Sequence, residues 1–134
     1  MVDRISPQKR SYIMSCIRSK NTGIEKFLAA KLAKRGYKFR KHYSLLPGKP
    51  DIVLEKYNTV IFVDGDFWHG WHFNKWQRKL KPYWKNKITG NIRRDKSNLR
   101  KLRYRGWIVI RVWEHEFKDI DKVIDRIVKR INSK

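Results

Sequence analysis

Cysteine is almost missing from this chain of 134 residues, where Cys16 stands alone. That excludes an intramolecular disulfide and any zinc site built on a set of cysteine thiolates. Long apolar runs are also missing. Nothing approaches the roughly 18 apolar residues of a membrane span, so no membrane partner is expected. The first residues, MVDRISPQKRSYIM, carry charge where a secretory leader needs an apolar stretch, so the cytoplasm is the expected compartment. The sequence shows no repeat, low-complexity tract or linker, and its length suits a single domain over residues 1–134. Negative charge is scarce as well: 12 Asp and Glu stand against 34 Lys and Arg.

The resulting formal charge of +22 makes the chain repel itself unless a polyanion is near. Nucleic acid is the expected partner, because phosphate contacts release counterions and bind regardless of sequence. The basic residues are spread along the chain, which argues against a separate basic tail. A hydrophobic fraction of 40% is enough for a core and argues against disorder. Charge alone leaves two classes open: a non-catalytic RNA- or DNA-binding module, and a DNA-binding enzyme associated with the nucleoid.

Hydrophobic spacing sketches the elements. Ser6-Pro7 reads as a helix start, with Ile13 and Ile17 on one face. A second helix begins at Thr22, carries Ile24, Phe27, Leu28 and Leu32 as its apolar stripe, and ends at Gly36. Tyr37, Phe39 and Tyr43 alternate with basic residues, as in a half-buried strand. A turn at Leu46-Pro-Gly-Lys-Pro50 feeds the strand Asp51-Ile-Val-Leu54, and Tyr57-Asn58 turns the chain into Thr59–Val63. An aromatic-rich segment spans 64–84. A long helix from about Tyr83 to Tyr104 closes at Gly106. A strand, Trp107–Trp113, and a helix with Ile120, Val123, Ile124, Ile127, Val128 and Ile131 on one face follow. The order α-α-β-β-β-α-β-α predicts an α/β fold, a mixed sheet with helices on its faces.

With so few carboxylates, their placement is informative. Asp51 opens one strand, and Asp64 and Asp66 follow the end of its neighbour. If the two strands pair as a hairpin, Asp51 comes close to residues 62–64. Carboxylates gathered in a basic field suit Mg²⁺, a hard cation that prefers oxygen. The competing explanation is turn chemistry, and Asp66 fits that better. Asp95 shares the apolar stripe of Trp84, Ile88, Ile92, Leu99 and Leu102 on the long helix. A carboxylate there is costly unless paired, and a histidine is a natural partner. His69, between Trp68 and Gly70, could carry a proton near neutral pH, or simply pack. His42, His72 and His115 have no comparable context. Thr22-x-x-Glu25 reads as a capping box, which accounts for Glu25 without catalysis. Phe67-Trp68 sits in a Gly-flanked loop where consecutive rings cannot easily share one buried face. Exposed rings amid basic residues can stack on or wedge between bases.

These motifs have a collective likeness. From about Asp3 to Glu116 the chain resembles the very-short-patch repair (Vsr) mismatch endonucleases. The likeness rests on Asp3-Arg-Ile-Ser-Pro7, Met14 with Ile17-Arg-Ser-Lys-Asn-Thr22, Glu25, Leu46-Pro-Gly-Lys-Pro-Asp-Ile-Val53, Ile61-Phe-Val63 with Gly65, and Phe67-Trp-His-Gly70. It continues through Trp84, Lys87-Ile88, Asn91, Arg94-Asp95, Gly106-Trp107 and Val112-Trp-Glu114. The resemblance implies a restriction-endonuclease-like core and Mg²⁺-dependent nicking of double-stranded DNA, 5′ of the thymine in a T·G mismatch. Mn²⁺ is expected to substitute. It implies Asp51 as principal metal ligand with the backbone carbonyl of Val63, and His69 as proton carrier oriented by Asp95. Glu25 would hold water in the metal's shell. Phe67, Trp68 and Trp84 would enter the duplex, with Lys49 and Arg94 also contacting DNA.

Two features depart from the family pattern. The family usually has His where this chain has Asp64, which could add a direct metal ligand. The family's structural zinc, held by Cys and His, would map onto Asp66, Trp71, Phe73 and His115, so no structural zinc is expected. A monomer is expected. Homing or restriction-type endonucleases that share the active-site pattern but act on matched duplex form the alternative reading.

Overall fold

The computed structural model describes residues 23–132. The helix expected from Ser6-Pro7, and Thr22 with its capping box, lie outside the described residues. Helix α1 covers residues 23–34. Strands β1 (Arg40–Lys41), β2 (Ile52–Leu54) and β3 (Thr59–Asp64) follow, then a single helical turn, α2 (Phe73–Trp76). The long helix α3 (Pro82–Tyr104), strand β4 (Ile108–Trp113) and helix α4 (Ile120–Asn132) complete the order.

The strands form one sheet in the order β1-β2-β3-β4. The first two pairings are antiparallel, and β3 runs parallel to β4. A parallel neighbour requires a crossover, which α2 and α3 supply. All six residues of β3 are buried, because helices cover both faces of the sheet. Its alternate side chains serve two cores. Ile61 and Val63 join Ile52, Ile110 and Val112 with side chains of α1 and α4. Val60 and Phe62 join Val53, Val109 and Leu102, beneath α3. The architecture is a mixed sheet flanked by helices, consistent with the restriction-endonuclease-like class.

Helix α4 buries Val123, Ile124, Ile127 and Ile131 at three- and four-residue spacing. Each contributes roughly 1.5–3 kcal/mol on burial. In α1, Leu28 and Leu32 are fully buried, but Phe27 is 46% exposed. Glu25, Leu28, Ala29 and Leu32 share the inward side, which leaves Phe27 on the flank. There the Lys31 ammonium lies 5.5 Å from its ring. The strand expected over Tyr37–Tyr43 contributes only two ladder residues. His42 takes φ +53°, which turns the chain out of the ladder. Helix α3 closes as its glycine predicts: Gly106 takes φ +93°, and the Trp107 N–H donates to the Leu102 carbonyl at 3.1 Å. Among the described residues, no helix is long and apolar enough to cross a membrane.

Candidate active site

A cavity of about 230 Å³ opens beside the ends of β2 and β3, and Glu25, Lys49, Asp51, Asp64, His69, Asp95 and Arg111 all reach it. The hairpin of β2 and β3 places the first group. Asp51 precedes β2, and its N–H donates to the Ile61 carbonyl at 3.1 Å. Its carboxylate Oδ2 accepts the Val63 N–H at 2.6 Å. From β1's end, the His42 N–H donates to the Asp51 carbonyl at 3.1 Å, so the imidazole starts opposite Asp51. Glu25 reaches in from α1, and its Oε2 lies 3.3 Å from His42 Nε2. Ligand atoms of Glu25, His42 and Asp51 lie within 4.8 Å of one another. Burial, a hydrogen bond shared with Glu25 and the charge of Glu25 together push the Asp51 carboxyl from 3.8 up to about 8. The Val63 N–H and His42 oppose that rise only in part.

The second group is held by α3 and β4. The loop after β3 is tied down by the Asn91 side chain, which donates to the Trp68 carbonyl at 2.9 Å. Gly70 turns that loop with φ +71°, directly against Ile92 of α3. His69 therefore faces α3, and its Nδ1 lies 2.6 Å from Asp95 Oδ2. Its Nε2 lies 3.5 Å from Asp64 Oδ1. Arg111 donates from Nε to Asp64 Oδ2 at 2.5 Å and from Nη2 to Asp95 Oδ2 at 2.9 Å. Burial raises the Asp64 pKa, and the charges of His69 and Arg111 offset only part of that. For His69, burial pulls the pKa down, and the nearby Arg111 charge adds to that pull. The Asp95 hydrogen bond and the charges of Asp64 and Asp95 outweigh it, so the imidazole stays protonated to higher pH than usual.

The aromatic segment departs from expectation. Phe67 and Trp68 are half-buried rather than exposed. Phe67 stacks on Trp76 at 5.4 Å between centroids, and both Phe67 and Trp68 meet Trp84 edge-on. The turn of α2 brings Trp76 over Phe67, and rings gathered this way hide apolar surface that a bare loop would expose. Lys87 caps Trp68 at 5.3 Å. Among the described residues, Trp68 Nε1 is buried without a hydrogen-bond partner. Arg94 is exposed on α3 and contacts Asn91 at 3.4 Å, and Lys49 is exposed at the cavity's rim.

Asp66 does more than serve a turn. Its Oδ1 lies 2.9 Å from His115 Nδ1. The Trp71 ring covers His115 at 4.2 Å, whereas Phe73 packs on Trp76. Two residues escaped the sequence reading. His42 lacks any motif and is placed only by the register of β1 against β2. Arg111 left a usable signal, a charge inside the apolar run Ile108-Val-Ile-Arg-Val-Trp113.

The comparisons with known proteins converge on one family. The family described as DNA mismatch endonuclease Vsr matches residues 2–75, more than half of the chain. The chain belongs to the Vsr family. It is 40% identical to the type II nicking enzyme V.XorIIP of Xanthomonas oryzae pv. oryzae over 129 residues, 95% of each chain. It is 37% identical to the DNA mismatch endonuclease Vsr of Escherichia coli over 127 residues, covering 93% of this chain and 81% of that one. The type II nicking enzyme V.NmeAIP of Neisseria meningitidis is 39% identical over 98% of this chain and 97% of its own. As a Vsr-family member the chain is a DNA endonuclease, and its excess of Lys and Arg suits that polyanionic substrate.

Proposed function

We propose that this endonuclease nicks one strand of duplex DNA 5′ of the thymine in a T·G mismatch, with Mg²⁺ as cofactor, as a step of mismatch repair. The observation that carries the reading is the gathering of Glu25, Asp51, Asp64, His69 and Asp95 in one cavity of a chain with formal charge +22.

The residues around Asp51 fit a divalent cation. Burial makes a lone carboxylate pair there unfavourable, as the Asp51 pKa of about 8 records, and a cation supplies the missing positive charge. Asp51 would hold it together with the Val63 carbonyl. In an extended strand a residue's N–H and C=O point to the same side, and the Val63 N–H already reaches Asp51. Glu25 and His42 complete the donor set. Oxygen donors suit Mg²⁺, and the His42 nitrogen also accommodates Mn²⁺. When bound, such a cation neutralises charge developing on the attacked phosphate. We assign Asp64 to His69 and Arg111 rather than to the cation, because its two oxygens face those groups.

His69 moves a proton at Nε2, the ring atom not taken up by Asp95. Lys49 and Arg94 hold phosphates, which fixes the duplex without reading it. Phe67, Trp68 and Trp84 probe base stacking. Unstacking a step costs least where pairing is already weak, so the rings discriminate while the charge binds. The test compares nicking of T·G and T·A duplexes of one sequence, in Mg²⁺ and in chelator. We expect a large T·G preference that vanishes with the metal. A ratio near one would replace mismatch nicking with the homing- or restriction-type reading.

A further inference from the structure

Arg111 is a cation in the nuclease cavity, and its guanidinium faces carboxylates of the chain itself. Its side chain is 23% exposed, and two of its three nitrogens already face carboxylates. Nε serves Asp64 and Nη2 serves Asp95, while the guanidinium carbon lies 4.3 Å above the Trp113 ring. The parity of β4 explains the placement. Val109 packs beneath α3, so Arg111, two residues on, projects to the same face, where Asp95 waits. Its partner strand sets the other contact, because Phe62 pairs with Arg111 in register and Asp64 lies two residues further.

The contacts close a ring around one imidazole. Asp95 Oδ2 accepts from Arg111 and meets His69 Nδ1, and Asp64 binds Arg111 through Oδ2 while Oδ1 faces His69 Nε2. Asp64 is 8% exposed and Asp95 21%, so burial makes both carboxylates depend on these partners, Asp64 the more so. A guanidinium is planar and offers several donors at fixed angles, so it can lock two carboxylates in one geometry, whereas an ammonium's rotatable donors fix no such angle.

We infer that Arg111 is a positioning residue: it clamps Asp64 and Asp95 on either side of His69 and thereby sets the orientation of the imidazole. The inference rests on the reading of His69 as the proton carrier. Without the fork, Asp95 keeps only the ring as a side-chain partner among the described residues, two carboxylates face each other across it, and His69 loses its fixed direction.

The experiment uses Arg111→Gln and Arg111→Lys, with His69→Ala as reference. Single-turnover nicking of a T·G duplex, duplex affinity, and the His69 side-chain N–H resonance of the free ¹⁵N-labelled protein are measured. Both Arg111 variants should slow nicking by ~10–100-fold, the usual scale for losing a group that orients another. Affinity for the duplex should change less than threefold. The hydrogen-bonded imidazole proton, resolved in the parent chain, should broaden or vanish in both variants. Nicking within twofold of the parent overturns the inference. So does a loss in affinity that matches the loss in rate, which would make Arg111 a phosphate contact. Full activity in Arg111→Lys would show that charge alone suffices and would overturn the clamp. If His69→Ala nicks normally, the reading of His69 fails, while the resonance still decides whether Arg111 orients the ring.

Discussion

Replacing Asp51 by Asn separates the cost of the site from its use. The Asp51 carboxyl is held at about 8 in the folded chain against an ordinary 3.8. The sign follows from proton counting: between those values the folded state keeps a proton that the unfolded state has released. Metal-free stability is therefore fully present below about pH 4 and falls as pH rises through the window up to about 8. At ~1.4 kcal/mol per pH unit the accumulated loss at pH 7 is ~4 kcal/mol at most. Glu25 hydrogen-bonds the same carboxyl and stays buried beside it in the variant, so the substitution should recover about half of that, ~2 kcal/mol. Asparagine keeps an oxygen for the Val63 N–H and adds an N–H for Glu25, so the packing survives. In chelator at pH 7–8 the variant should melt about 6 °C above the parent, taking ~3 °C per kcal/mol for a chain of this size. Its melting temperature should also depend less on pH between 5 and 8. Duplex binding should persist while nicking is lost. Calorimetry across pH 5–9 on both proteins checks this. Parallel pH curves, or a variant less stable than its parent at pH 8, would refute the claim that buried carboxylates without a cation oppose folding here.

Other expectations follow from individual contacts. His69 is held protonated by its carboxylates, so its contribution to stability is present below the usual 6.5 and is lost as pH rises through the raised value. Asp95→Asn should lower the His69 pKa in an NMR titration, and an unchanged or higher value would contradict the pairing. Gly70→Ala places a Cβ 2.7 Å from Ile92 Cγ1 at φ +71°. It should cost ~2–4 kcal/mol in denaturant melts and slow nicking, since His69 is its neighbour. His42→Ala should weaken Mn²⁺ binding to the free protein by ~10-fold in calorimetry, and Mg²⁺ binding by less, because nitrogen donors favour the transition metal. Asp66 and His115 already bind each other, and Trp71 covers the imidazole. Elemental analysis of protein purified without chelator should show no stoichiometric zinc, and one tightly held zinc per chain would refute that.

The sequence alone determined the periodic parts of this protein. The α4 stripe, the closure of α3 at Gly106 and the apolar runs of β2, β3 and β4 follow from local spacing, because burial of one face dictates where apolar residues recur. The hairpin that brings Asp51 to Val63 was also legible, since the Tyr57-Asn58 turn joins two strands whose ends must then meet. Asp95 was legible as an anomaly, a carboxylate on an apolar stripe. Tertiary structure decided the rest. His42 joins Asp51 only through the register of a two-residue strand, and nothing in its neighbours signals that. Phe27 leaves the stripe because the inward side of α1 is already filled. Phe67 and Trp68 are covered because Trp76 and Trp84 arrive from other elements. Arg111 meets Asp64 and Asp95 because β4 lies parallel to β3 beneath α3, and that crossover joins residues 16 and 47 positions apart. A single strand's pattern carries no information about which distant side chains will share its face.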